Sequence, residues 1–321
     1  MASDFADQQA SFLRAGMGRD GVARWGSGGA GANVDLINAH YSTAMFNDLT
    51  SQYYAGSDFY NFGYWEDGTT GPKEASEALM EKLLAFIPEK SGNILDVACG
   101  KGATTRHLLR YYPAENVTGI NISEDQLKRC ASNAPGCAFH AMDATRLKFE
   151  ENSFDNMICV EAAFHFKTRE KFLREALRVL KPGGRLVMSD LLMTREGEAR
   201  AKYRHPSNYI ESTAQYEAIL ARNGFTNVEV VDATEQCVDQ YFLHMFAFLM
   251  DKYAKKQLDK KFLVSTMRLL LWIMAESRYG LLVAAQKPAE TGASATVDAQ
   301  AKVLSGPQRS HGSPSRGGAA V

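Results

Sequence analysis

The chain lacks a surplus of basic residues: 36 lysines and arginines stand against 37 aspartates and glutamates, for a formal net charge of −1. Such a balance does not neutralise a run of phosphates, which argues against a nucleic-acid partner. It lacks any Cys-x-x-Cys pair. The five cysteines, Cys99, Cys130, Cys137, Cys159 and Cys237, are odd in number and irregularly spaced. That pattern fits reduced thiols in a cytoplasmic setting better than a disulfide framework, and it offers no zinc-ligand spacing. No other His, Asp and Glu cluster has ligand spacing, so no metal is expected. Long apolar runs are also missing. The most apolar late stretch, residues 262–285, is broken by Arg268, Glu276, Ser277 and Arg278, so no membrane span is expected. The opening residues Met1-Ala-Ser-Asp-Phe-Ala-Asp are acidic and carry no leader-like apolar segment.

What is present is concentrated in residues 94–105, Ile-Leu-Asp-Val-Ala-Cys-Gly-Lys-Gly-Ala-Thr-Thr. An apolar strand carries the acid Asp96, a small-residue turn follows, and a helix begins. Glycines in such a turn allow a sharp bend and a close approach of backbone to ligand. A dinucleotide fingerprint needs a third glycine and an acid about 20 residues on. Here those positions hold Thr105 and Asn121. An acid ahead of a shortened glycine turn suits a ligand bearing ammonium and hydroxyl groups, such as S-adenosylmethionine, rather than a pyrophosphate.

The 321 residues are 45% apolar, enough for one core of roughly 250 residues with extensions. Residues 1–33 and 288–321 are rich in Gly, Ala, Ser and, in the latter, Pro, and read as a flexible N-terminal segment and a disordered C-terminal tail. Between them, in a domain spanning 34–287, helices and strands alternate. Helices are expected at 73–86, 103–111, 124–134, 168–180 and 213–223. Strands are expected at 93–98, 117–120, 138–141, 156–160 and 185–189, with 227–231 and 279–286 as a closing antiparallel pair. This pattern predicts an α/β fold: a doubly wound, Rossmann-like, mostly parallel seven-stranded sheet with an antiparallel last strand. Ligands bind such sheets beyond the carboxyl ends of the strands. Residues 235–276 form a helical insertion with more apolar surface than a connector needs. It reads either as an added structural helix pair or as a lid over an apolar substrate, with Met245 and Phe246 as candidate wall residues.

Five blocks, taken in order, resemble the class I S-adenosylmethionine-dependent methyltransferases, in particular the small-molecule (sugar and natural-product) O-methyltransferases. They are Ile94–Gly102, Val117–Ser123, Met142-Asp143-Ala144, Ser153–Glu161 and Leu180–Asp190. The resemblance covers residues ~60–287. It implies S-adenosyl-L-methionine as cofactor and places Asp96 at its methionine end, directly or through water; the alternative for Asp96 is an acid capping the following turn. Ala98, Gly100 and Gly102 would let the backbone approach the ligand. Asn121 would serve the ribose, Gln126 the ribose or the adenine edge, Ile122 the adenine face, Asp143 the adenine amino group and the Ala144 amide the ring; Asp143 also reads as a cap of a short turn. Glu161 would face the methionine portion.

The resemblance further makes His165 a general base, with the strand-five acid Asp190 orienting it; the alternative for His165 is a hydrogen-bonded histidine that supports the site without touching the substrate. Relatives with a His-His pair at this point have a histidine where this chain has Phe164. Tyr64 and Trp65, in Asn61-Phe-Gly-Tyr-Trp65, and Tyr41, in the amphipathic stretch 34–46, would fold over cofactor and substrate. The implied partner is a small-molecule acceptor, most simply a hydroxyl of a secondary metabolite. Two alternatives stay open: N- or C-methylation, for instance of an amine or of a prenyl diphosphate met by Arg200, Lys202 and Arg204, and a non-catalytic cofactor-binding subunit. The oligomeric state is not legible.

Overall fold

Successive residues of the central strands point to opposite faces, and both faces are buried. Leu95 and Val97, Met157 and Cys159, Leu186 and Met188, and Leu281, Val283 and Ala285 enter one apolar layer. Ile94, Ile158, Val187, Leu282 and Ala284 enter the other. That period of two, with no polar face, is what a sheet covered on both sides requires. The computed structural model describes residues 30–201 and 204–289. The expected mobile segments 1–33 and 288–321 fall largely outside these residues, as does Lys202.

The strands are β1 (Ile94–Val97), β2 (Val117–Asn121), β3 (Ala138–Ala141), β4 (Phe154–Val160), β5 (Leu180–Met193), β6 (Thr226–Asp232) and β7 (Ser277–Gln286). They form one seven-stranded sheet in the order β3-β2-β1-β4-β5-β7-β6. Strands β1 to β5 pair in parallel, and β7 runs antiparallel to both β5 and β6. The order reverses between β1 and β4, so the crevice for a ligand opens at their carboxyl ends.

The helices are α1 (Ala30–Met45), α2 (Asp48–Tyr53), α3 (Pro72–Ala85), α4 (Ala103–Leu108), α5 (Glu124–Asn133), α6 (Arg169–Val179), α7 (Arg195–Arg200), α8 (Thr213–Arg222), α9 (Gln240–Ala254) and α10 (Lys260–Glu276). Helix α6 shows why they dock. Phe172, Leu173, Ala176 and Val179 recur at helical spacing and are all buried, while Thr168 caps the first turn by accepting from the Lys171 amide. Helix α4 is shorter than expected, because after Leu108 the chain tightens into turns through Tyr112. Strand β5 is much longer than expected. The Lys181-Pro182-Gly183-Gly184 segment stops α6 but not the ladder, which resumes across a bulge against β4. At its other end β5 continues past Ser189 to pair with the start of β7.

Candidate active site

A cavity of about 800 Å³ opens at the carboxyl ends of β1, β2 and β4. One part of its lining is the β1 turn. Ala98 adopts a left-handed conformation (φ 59°), as do Gly100 (54°) and Gly102 (85°). A Cβ on Gly100 would meet only the Met45 methyl carbon, at 3.4 Å, so this glycine leaves room on the cavity side. Gly102 does not line the cavity. A Cβ there would stand 2.9 Å from the Cys130 Cα of α5, so its missing side chain lets the turn seat on that helix rather than on a ligand.

Asp96 is also set back from the cavity. It is 1% exposed, and its Oδ2 accepts from the Thr104 and Thr105 hydroxyls, both at 2.7 Å. Burial pushes its carboxyl up to about 6, against those two hydrogen bonds. In this geometry Asp96 ties β1 to the start of α4, and Thr104 stands between it and the cavity.

At the end of β2, Asn121 donates to Gly100 O (3.3 Å) and Gln126 Oε1 (2.9 Å) and accepts from the Ser123 amide (3.1 Å). Asn121, Ile122 and Gln126 all line the cavity, joined by Asp143 and the buried Ala144 after β3. Asp143 spends Oδ1 on the Thr145 amide and hydroxyl, both at 2.8 Å. This leaves Oδ2 as the oxygen available for recognition.

Beyond β4 the cavity changes character. Glu161 (φ 49°) accepts the Phe62 amide at both carboxylate oxygens, at 3.0 and 2.9 Å. Enclosure within the protein pushes its carboxyl up to about 8; the Phe62 bond opposes this and the nearby Asp190 charge adds to it. His165 lies one short turn further on. Its Nε2 is 2.5 Å from the Tyr41 hydroxyl, which α1 carries across the mouth of the crevice. Around this pair the wall is aromatic and aliphatic, with Tyr60, Phe62 and Phe164 on one side and Tyr241, Met245 and Phe248 of α9 and Leu270 and Ile273 of α10 on the other.

Several expected residues lie elsewhere. Asp190 is not His165's partner. Its carboxylate takes Arg169 Nε (2.6 Å) and Nη2 (3.1 Å), the Tyr216 hydroxyl (2.7 Å) and the Leu191 amide (2.9 Å). The physical reason is depth: Asp190 is 2% exposed, and a carboxylate so buried needs a compensating cation. Tyr64 and Trp65 do not line the cavity either. Gly63 (φ 78°), whose Cβ would collide with Ala75 at 2.6 Å, turns the chain away. Trp65 is then buried against His244, with its indole N–H donating to Phe62 O at 2.8 Å. The cover is instead built by Tyr60 and Phe62, two to four residues earlier. In the hairpin Met245 faces the cavity, whereas Phe246 packs beside Phe242 behind it.

Of the basic run, Arg200 lines the cavity, Lys202 lies outside the described residues, and Arg204 is committed elsewhere. Arg204 is buried, bonded to Glu198 Oε2 (2.9 Å) and Leu191 O (3.0 Å) and stacked on Phe164. Sequence reasoning missed Lys101. It lines the cavity, is 6% exposed, and pairs with Asp58 at 2.9 Å while donating to Met45 O. A lysine between two turn glycines was the available signal. Among the described residues, no three His, Cys, Asp or Glu side chains gather as a metal site. No helix among them is long and apolar enough to cross a membrane.

Residues 95–188 match a family model described as a methyltransferase domain. The 27-O-demethylrifamycin SV methyltransferase of Amycolatopsis mediterranei is 34% identical over 46% of this chain, a match that spans 56% of that relative. Methyltransferase GfsG of Streptomyces halstedii is 30% identical over 56% of this chain and 70% of its own length. Among solved structures, the [4+2]-cyclase SpnF superposes with a TM-score of 0.61 at 21% identity, covering 80% of this chain and 97% of its own. The cyclopropane synthase MmaA2 from Mycobacterium tuberculosis does so with 0.62 at 18% identity, covering 78% and 98%. The two solved structures share the fold. The sheet order, the β1 turn and the extended match to GfsG together make this chain a member of the class I S-adenosylmethionine-dependent methyltransferases.

Proposed function

We propose that the chain methylates a hydroxyl of a small, largely apolar acceptor, a secondary metabolite, with S-adenosyl-L-methionine as donor. The observation that carries this reading is the Tyr41–His165 pair, set between a polar, glycine-turned half-cavity and an aromatic half-cavity. The residues fit the donor. The space beside Gly100 receives its amino-acid end, Asn121 with Gln126 presents amide groups to ribose hydroxyls, and Ile122 and Ala144 offer apolar contact to a purine. Asp143 Oδ2 is left to accept from the purine amino group. Asp96 acts at one remove, through Thr104 and the turn, and Glu161 places a carboxyl near the methionine portion. When bound, the cofactor supplies an activated methyl group.

The protein's part is alignment, exclusion of water and removal of one proton. The acceptor hydroxyl hydrogen-bonds to the Tyr41 oxygen. As the methyl transfers, its proton passes to Tyr41, and the Tyr41 proton passes to His165 Nε2. Residues 34–287 act as the methyltransferase domain, with the α9–α10 hairpin within 235–276 as its lid. Five cysteines, all free thiols here, suit the cytoplasm. The commitment of Arg204 to Glu198 weighs against a diphosphate acceptor.

The test is release of S-adenosylhomocysteine across a panel of hydroxylated natural products, beside calorimetry with the cofactor. His165→Ala should bind cofactor as wild type does and lose about 10²–10⁴ in turnover. Tyr41→Phe should lose a comparable factor, because the phenol links the acceptor hydroxyl to the imidazole. A His165→Ala enzyme within a few-fold of wild type would overturn the base assignment, and absent cofactor binding would overturn the whole reading.

A further inference from the structure

The hairpin that walls the cavity has a second face. On α9 the cavity is met by Tyr241, Phe242, Met245, Phe248 and Leu249. About half a helical turn away, at a spacing of three or four residues, Leu243, Ala247 and Met250 are exposed. Helix α10 repeats the arrangement. Phe262, Thr266, Leu269 and Ile273 face the cavity, and Val264, Leu271 and Ala275 face outward in line with Lys261 and Arg268. The outward side chains are large and well exposed: Leu243 56%, Met250 50% and Leu271 52%. The two helices pack against each other, which sets their apolar rows side by side, and the exposed acid beside Met250, Asp251, is paired with Lys255.

Charge says what covers it. The segment at the hairpin tip, residues 251–261, holds five lysines against Asp251 and Asp259, in a chain whose formal net charge is −1. Lys255 is engaged with Asp251, and Lys252 bonds Gln52. Lys256, Lys260 and Lys261 are exposed at the end of the apolar rows. An aliphatic stripe bounded by ammonium groups is the chemistry of a helix surface that lies in a lipid headgroup layer, with apolar side chains at the acyl boundary and cations on anionic headgroups.

We infer that the outer face of the α9–α10 hairpin docks the protein onto an anionic lipid surface. The same two helices would then hold the aromatic wall of the cavity within one helix layer of the bilayer. The docking itself does not depend on the identity of the reaction.

Sedimentation of the full chain with vesicles of phosphatidylcholine alone, and with phosphatidylglycerol added, tests this. Binding should require the anionic lipid and weaken with added salt. Joint replacement Lys256→Glu, Lys260→Glu and Lys261→Glu should lower partitioning about tenfold or more. Joint replacement Leu243→Glu, Met250→Glu and Leu271→Glu should abolish it, with the melting temperature unchanged because these side chains are exposed. Failure of the wild-type chain to bind anionic vesicles overturns the inference, and so does binding that both sets of substitutions leave intact. Light scattering that shows a dimer dissociated by the leucine and methionine substitutions also overturns it, in favour of a second copy on this face.

Discussion

At Gly102 a Cβ would stand 2.9 Å from a backbone atom of α5, whereas at Gly100 it would face the cavity with only the end of Met45 nearby. Both positions have positive φ, so any side chain is strained there. The consequences differ. Gly102→Val should cost about 2–4 kcal/mol of stability, from the left-handed backbone plus the clash. Gly100→Val should put its branches into the cavity space proposed for the cofactor and cost binding about ten- to hundredfold, the scale of 1–3 kcal/mol of overpacking. Thermal melting and calorimetry on the two variants separate these outcomes. Equal binding losses without a stability difference would contradict the geometry.

Glu161 makes a second prediction at this scale. Its folded-state pKa, about 8, lies above the ordinary 4.5, so the stability that its neutral form contributes is complete below about 4.5 and is lost as the pH rises through about 8. Asp96 acts in the same direction over a lower window, from 3.8 to about 6. The ligand-free protein should therefore melt lower at alkaline than at mildly acidic pH. Glu161→Gln should remove the upper part of that slope, worth on the order of 2–4 kcal/mol once water in the cavity is allowed for. A variant whose melting tracks the wild type across the whole range would show that this carboxyl titrates normally.

Among the elements, β5 shows how one acid is assigned by its surroundings rather than by its place in a motif. Asp190 ends the run Leu-Val-Met-Ser-Asp at the cavity end of the sheet, which is why it reads as a catalytic partner. The helix that follows β4 supplies Arg169, and α8 supplies Tyr216; both turn the carboxylate inward. Asp190→Asn should leave the Arg169 guanidinium buried with half its compensation gone, at a cost of about 3–5 kcal/mol. The loss should appear in melting temperature as well as in activity. His165→Ala, by contrast, should lower turnover alone. Equal melting of Asp190→Asn and wild type would restore a direct catalytic role for the acid.

The same contrast explains what was legible in the sequence. Strand and helix periodicities mark the sheet, its two covered faces and the cavity end of each strand, because burial dictates residue type along a strand. Ala98, Asn121, Ile122, Gln126, Asp143 and Ala144 line the cavity because they stand at or just beyond those ends. Which neighbour a side chain meets across the sequence is a matter of tertiary packing. No pattern in the sequence announces Arg169 beside Asp190, or the turn at Gly63 that buries Trp65 and leaves Tyr60 and Phe62 as the cover.

For the whole molecule, the sheet alone does not set the chemistry, since a cyclase and a cyclopropane synthase superpose on it. Above the strand ends of this chain stand α1, the strap at 59–65 and the α9–α10 hairpin. In this chain those three parts supply Tyr41, Tyr60 and Phe62, and Met245. The proposed donor half rests on the sheet turns and the proposed acceptor half on the cap, so the two halves should respond independently to substitution. Met245→Ala removes a flexible side chain from the acceptor wall and should shift preference toward bulkier acceptors while cofactor affinity stays unchanged. Phe246→Ala, one residue on, takes a ring from beside Phe242 behind the wall. It should lower the melting temperature by an amount on the order of 2–4 kcal/mol in stability, with acceptor preference kept. Competition assays between a small and a large hydroxylated acceptor, run beside melting curves, distinguish the two. If both substitutions only destabilise, the hairpin is a structural helix pair and the acceptor is selected by α1 and the strap alone.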